Sequence, residues 1–130
     1  MFEELSLVRM ASAMARHATA RHSVIAENVA NADTPGYRAR DVQGFSEYVN
    51  EPFTARATRA GHSGVQSTRA PIMRINVMQD DGVEASANGN SVSLEREMVK
   101  SVETQGQHAL ATTIYRKVHD MMRLSLGRGR

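Results

Sequence analysis

One stretch of the chain decides how it folds, and it reads Asn28-Val29-Ala30-Asn31-Ala32-Asp33-Thr34-Pro35-Gly36-Tyr37-Arg38-Ala39-Arg40-Asp41. Pro35 disfavours helical backbone at the residue before it, and Pro-Gly suits the two central positions of a type II turn. Asn28 and Asn31 are poor residues for a helix interior, which indicates side-chain hydrogen bonds that fix the end of a helix. The stretch predicts an ordered helix exit, followed by an emerging strand that Tyr37 anchors.

Two long helices flank this exit in the predicted fold. Residues 4–32 contain no Gly or Pro and are rich in Ala, Met, Arg and Glu, which are good helix formers. The second helix is predicted over residues 94–126, with Ser93 as its N-cap and Gly127 as its end. We expect a mainly α fold in which these helices form an antiparallel coiled-coil-like pair.

The middle region differs from both ends in composition. Residues 33–90 hold all three Pro and six of the nine Gly, and the run 54–70 has no apolar period, which predicts irregular structure. A small β-hairpin is predicted around a turn at residues 79–82. Its strands would carry apolar side chains at Met73, Ile75, Val77, Val83, Ala85 and Ala87. Three units follow, namely 1–32, 33–90 and 91–130.

Composition excludes several classes of protein. The 130 residues contain no Cys, so disulfides and thiolate sites are excluded. The N-terminus is acidic and no long apolar run follows it, so neither a signal peptide nor a membrane span is predicted. The net charge of +2 is small, although 14 of the 16 basic residues are Arg.

No pattern of catalytic, cofactor-binding or metal-binding residues is present. Nucleophile-elbow, zinc-protease and phosphate-loop motifs are missing from the sequence. His17 and His22 are separated by about 140° around a helix, and His108 and His119 by roughly 16 Å along one, so neither pair can chelate a single ion. We expect no catalytic residues, no cofactor, no metal and no small-molecule substrate.

The helices carry apolar stripes that one partner helix cannot cover. At roughly 43 and 50 Å, two such helices leave apolar surface for another chain. Gly106 would allow another helix to approach closely. The residues expected to interlock within and between subunits are Met14, Ala18, Ile25, Val29, Val99, Val102, Gly106, Leu110, Met121 and Leu124.

Residues 28–41, together with Gly89-Asn90-Ser91-Val92-Ser93-Leu94-Glu95-Arg96-Glu97-Met98, resemble the axial proteins of the bacterial flagellum, which comprise rod, hook and hook-associated proteins. The signature positions are Asn28, Asn31, Thr34, Pro35, Gly36 and Tyr37. Both blocks look more like a rod member than the hook, and the short middle region fits a rod protein.

This resemblance implies a structural subunit of the proximal rod, at the inner membrane and periplasm, in a helical drive shaft that transmits torque and encloses the export channel. The two terminal helices would line the inner tube, with the middle region outside it. The implied partners are copies of the chain, other rod proteins, the MS-ring/rod junction protein and the flagellar type III export gate. Export through that gate would need no cleaved signal peptide.

Two other classes remain open from the residues alone. One is a secretion chaperone or adaptor, in which a helical hairpin forms a discrete dimer. The other is a small basic nucleic-acid-binding protein, whose binding would weaken steeply with salt. The Arg-rich surface lacks interleaved aromatic residues that stack on bases, so we expect no nucleic acid among the partners.

Overall fold

The computed structural model of the chain describes residues 2–50, 75–80, 82, 84–125 and 127. The elements are α1 (Phe2–Ala30), β1 (Arg40–Val42), α2 (Phe45–Asn50), β2 (Val77–Gln79) and α3 (Leu94–Ser125). The fold is mainly helical, as predicted. Helices α1 and α3 pack against each other, and a small antiparallel sheet is formed by residues that lie between them in the sequence. No helix in the described part of the chain is long and apolar enough to cross a membrane.

Both long helices end close to the predicted positions. Helix α3 begins directly after Ser93, whose carbonyl accepts the first intrahelical bond from the Glu97 amide at 3.0 Å. It stops before Gly127, which adopts a φ of +70°, a left-handed conformation that favours glycine. Helix α1 ends at Ala30, two residues before the predicted 32, because the Ala32 amide bonds three residues back to Val29 rather than continuing the α-helical pattern.

The predicted turn after α1 is confirmed. The Tyr37 amide donates to the Thr34 carbonyl at 3.3 Å, which closes a four-residue turn with Pro35 and Gly36 at its centre. Gly36 has a φ of +73°, as the third position of a type II turn requires. The turn sends the chain back along α1, where β1 then forms.

The sheet does not have the predicted partners. Strand β2 includes Val77, but it pairs with β1 in the register Arg40↔Gln79, Asp41↔Met78 and Val42↔Val77. The predicted second strand over 83–87 is wrong, since residues 84–87 carry no strand. The chain does turn after β2, where the Gly82 amide donates to the Asp80 carboxylate at 3.1 Å. Met73, Val83 and the run 54–70 lie outside the described residues.

The helix pair buries a seam with a seven-residue spacing. On α3 the buried positions are Glu97, Thr104, Ala111 and Val118, and on α1 they include Ala11, Ala18 and Ile25. This spacing is typical of a coiled coil. The pair is antiparallel, because Asn28 near the end of α1 bonds Glu97 near the start of α3.

Candidate functional site

Asn28 connects three elements at the end of α1. Its side chain is fully buried, with 0% exposed. The Nδ2 group donates to the Arg40 carbonyl at 2.6 Å and to the Glu97 carboxylate at 3.1 Å. The Oδ1 atom accepts from the Arg40 amide at 3.0 Å and from the Tyr37 hydroxyl at 3.3 Å. One amide therefore holds β1 against α1 and joins both to α3.

Asn90 caps the end of α1 from a distant part of the chain. Its buried Nδ2 group lies 2.9 Å from the carbonyl oxygen of Asn31 and 2.8 Å from those of Ala32 and Thr34. Carbonyls at the end of a helix lack intrahelical donors and carry its partial negative charge. The Asn90 side chain supplies donors to this cluster of oxygens, while its Oδ1 accepts from the Val92 amide at 2.7 Å.

The segment around Asn90 forms hydrogen bonds with the residues of the exit turn. The Gly36 amide donates to the Asn88 carbonyl at 3.0 Å, and the Ser91 hydroxyl accepts from the Ala39 amide at 2.9 Å. Gly89 has a φ of +79°, and a Cβ there would lie 3.4 Å from the Gly36 Cα. We call the combined region, residues 28–42 with residues 88–97, the junction. It fixes how the chain leaves one long helix and enters the other.

A charged network lies beside the junction. Arg21 forms a bidentate pair with Asp41, at 2.9 and 3.0 Å. The Lys100 ammonium lies 2.7 Å from the Asp80 carboxylate, 3.1 Å from that of Glu97 and 3.3 Å from that of Asp41. Glu97 is 2% exposed, and its buried carboxylate is paired with Lys100 and accepts from Asn28. The network ties β1 and the turn after β2 to both long helices.

Protonation of this network gives a testable pH dependence. Burial disfavours the charged form of Asp41, but the hydrogen bonds from Arg21 and the Val42 amide, together with the charges of Arg21 and Lys100, outweigh it and lower the pKa of that carboxyl. The hydrogen bond from Lys100 lowers the pKa of Asp80. Lowered carboxyl pKa values contribute stability above the unfolded value of about 3.9, and this stability is lost as the pH falls through the folded values. Burial opposes the Lys100 charge, yet the hydrogen bonds to Asp80 and Glu97 raise its pKa, so its contribution is lost only at alkaline pH.

We therefore expect the free energy of unfolding to fall as the pH drops below about 4, and Asp80→Asn to reduce that fall. Urea titrations followed by circular dichroism at several pH values measure it. Asp33→Asn is the matched control, because Asp33 is exposed and lies outside the network. An acid-induced loss that is equal in the Asp80 and Asp33 variants would contradict this assignment.

The structure brings the predicted signature residues together. Asn31 donates from Nδ2 to the Glu27 carbonyl at 2.8 Å and accepts from the Thr34 hydroxyl at 3.2 Å. With Asn28 and Tyr37 bonded to each other and Pro35-Gly36 in the turn, the signature forms one side of the junction. Its residues lie at the exit from α1.

The predicted interlocking residues separate into two groups. Ala18 and Ile25 are buried and Met14 is half-buried in α1. The rest are exposed, with Val102 at 71% and Leu124 at 74%. These exposed residues are Val29, Val99, Val102, Gly106, Leu110, Met121 and Leu124. Their part in contacts between subunits stays a prediction.

The sequence analysis did not predict which residues of α3 face α1, nor that the segment around Asn90 caps the end of α1. Glu97, Thr104 and Ala111 are buried where an apolar stripe was expected to pack, because polar and small side chains fit close to α1. Their spacing of seven was the available signal. His17 is buried as well, with Nε2 2.7 Å from the Gln43 carbonyl oxygen and its ring 5.6 Å from that of Phe45.

Comparison with known proteins identifies the chain's relatives. The family model described as flagella basal body rod protein matches residues 10–38, which include the end of α1 and the exit turn. The flagellar basal body rod protein FlgB of Agrobacterium fabrum is 29% identical over 130 residues, covering 97% of this chain and 96% of the relative. FlgB of Escherichia coli is 30% identical over 70% of this chain and 71% of the relative.

FlgB of Proteus mirabilis is 30% identical, covering 78% of this chain and 80% of the relative. The match to the Agrobacterium fabrum protein covers nearly the whole chain, so it includes α3 as well as the exit from α1. These matches confirm the resemblance to axial proteins of the flagellum and its assignment to the rod. The chain belongs to the FlgB family of flagellar basal body rod proteins and is a structural subunit of that rod.

Proposed function

We propose that this chain is a subunit of the proximal rod whose two long helices pack with neighbouring subunits in a helical drive shaft. The observation that supports this proposal is the exposure of apolar residues on the outward face of α3, which is the side turned away from α1. Val99, Val102 and Leu110 are all more than half exposed there, while the inner face carries Glu97 and Thr104. An amphipathic helix normally buries its more apolar side. In α3 that side is uncovered within the subunit, which supports burial against another chain.

Gly106 supports the same conclusion. A glycine inside a helix costs about 0.5–1 kcal/mol relative to alanine. A Cβ added at Gly106 would meet no atom within 4 Å, so packing within the described part of the subunit does not require glycine. Close approach of a neighbouring helix would explain why the cost is tolerated.

The work of such a subunit is mechanical, with no catalytic step. Residues 1–32 and 91–130 would form the inner tube around the export channel, and residues 33–90 would lie outside it. Torque would pass through contacts with copies of the chain and with other rod proteins. The resemblance to axial proteins also supports contacts with the MS-ring/rod junction protein and the flagellar type III export gate, and export by that system without a cleaved signal peptide.

Gly106→Leu tests this function directly. We expect the free energy of unfolding of the variant to be unchanged or to rise by at most about 1 kcal/mol. Leucine is the better helix former, and the site is open within the described part of the subunit. In cells that lack the natural chain, the same variant should abolish or strongly reduce swimming by overpacking the subunit contact. Swimming assays and electron microscopy of purified basal bodies measure the loss.

Gln105→Leu is the matched control, since it adds an exposed leucine next to Gly106 but outside the apolar stripe. It should swim far better than Gly106→Leu. Unimpaired swimming of Gly106→Leu, with the variant present in basal bodies, would refute a close contact at Gly106. Normal rods in cells without any copy of the chain would refute the proposed function itself.

A further inference from the structure

The outward face of α1, the side turned away from α3, is basic. Arg9 and Arg16 are exposed on it, and no carboxylate in the described part of the chain pairs with either. Among the described residues, the Arg16 guanidinium bonds to the Ser12 hydroxyl, at 3.1 Å. Glu27 is on the same face, but its charge is already paired with Arg40. Within the described part of the chain, the face therefore presents two positive charges that no carboxylate pairs with.

Over residues 95–106, the outward face of α3 is acidic as well as apolar. Glu95 and Glu103 are exposed beside Val99 and Val102, and neither glutamate forms an ion pair in the described residues. The carboxylates border the apolar residues rather than interrupt them, since 95, 99, 102, 103 and 106 follow the helical repeat. This face would attract a partner that is basic and has room for valine and leucine side chains.

The outward face of α1 meets both conditions. Its exposed positions between the arginines and the end of the helix include Thr19 and Ser23, which are small. A helix surface with small side chains lets bulky residues of a facing helix approach closely. The arginines of α1 and the glutamates of α3 have opposite charges, which favours this pairing over like faces meeting.

We propose that the outward face of α3 in one copy packs against the outward face of α1 in a second copy. This inference rests on the proposed function and names which surfaces meet. The two faces lie on opposite sides of the helix pair, so the contact is heterologous: the first copy keeps its α1 face free, and the second copy keeps its α3 face free. Such a contact builds an open polymer or helix rather than a closed dimer.

The absence of cysteine from the chain makes cross-linking a clean test. Ser23→Cys and Thr113→Cys place single thiols at small, exposed positions, the first on α1 and the second near the outward apolar residues of α3. Cells would express either variant alone or both as separate chains. Purified basal bodies would then be treated with a flexible bismaleimide, which tolerates a shift in register.

We expect cross-linked dimers of this chain only when both variants are present. Dimers of equal yield with either variant alone would overturn the proposal, because they indicate that like faces meet. A lack of dimers in the mixture, with both variants incorporated and cells swimming, would also overturn it while leaving the proposed function intact. Failure of the natural chain to enter basal bodies would instead remove the proposed function.

Charge reversal provides a second measurement. Adding Arg16→Glu to the cysteine variants should lower the cross-linking yield about fivefold, and adding Glu103→Arg in the same chains should restore most of it. Arg116→Glu reverses an exposed charge on the flank of α3 and should leave the yield unchanged. Equal losses from the Arg16 and Arg116 variants would contradict the pairing of these faces.

Discussion

Replacing Asn28 with alanine is expected to lower the free energy of unfolding by about 3 kcal/mol or more, as for the loss of a buried hydrogen-bond network. The variant loses bonds to both backbone groups of Arg40 and to the Tyr37 hydroxyl. It also removes a donor from the buried Glu97 carboxylate. Urea titrations followed by circular dichroism measure the change, and loss of swimming should accompany it.

Asn31→Ala is the matched control at the same helix end. Asn31 is half-buried, and in the described part of the chain its side chain bonds to nearby groups, the Glu27 carbonyl and the Thr34 hydroxyl. We expect a cost below about 1 kcal/mol. Equal costs for the two alanine variants would show that Asn28 acts as a local cap rather than as a link between elements.

Asn28→Asp separates hydrogen bonding from packing. Aspartate has nearly the same volume but turns the donor into a second acceptor, which would face the Arg40 carbonyl and the Glu97 carboxylate. We expect this variant to be at least as destabilised as Asn28→Ala. A stability close to that of the natural chain would mean that the shape of residue 28, and not its amide, matters.

Features set by neighbouring residues were predictable from the sequence. The type II turn depends on Pro35 and Gly36, and the end of α3 depends on Gly127, so the local pattern was sufficient. The lengths of both long helices follow from uninterrupted runs of helix-forming residues. Asn28 was also recognisable, because an asparagine inside a predicted helix needs a partner to justify it.

Features set by distant residues were not predictable in the same way. Strand β2 pairs with β1, and not with the residues just after it, because Asn28 already holds the backbone of Arg40 against α1. Nothing near β2 in sequence reveals that this edge is available. The capping of α1 by Asn90 likewise joins residues almost sixty positions apart.

The two faces of α3 explain why the residues expected to interlock on this helix are exposed within the subunit. Periodicity identifies an apolar side but not the chain that covers it. Within the subunit, Thr104 and Ala111 let the helices approach closely, while Lys100 and Glu97 join the charged network. The apolar residues Val99 and Val102 are thereby left exposed on the subunit, as the proposed contacts between subunits require.

Asn90→Asp is expected to lower the free energy of unfolding by about 3 kcal/mol, although the two side chains have nearly the same shape. The three carbonyl oxygens around Asn90 Nδ2 would face a carboxylate in place of a donor, at the negatively charged end of α1.

Asn88→Asp is the matched control two residues away, because Asn88 is exposed and its Oδ1 accepts from the Asn90 amide at 3.0 Å. A carboxylate keeps that bond, so the change should stay within about 0.5 kcal/mol. Urea titrations of both variants decide the matter: similar stabilities would contradict a cap by Asn90, whereas a large loss at residue 90 alone would show that the end of α1 depends on a side chain from the far side of the middle region.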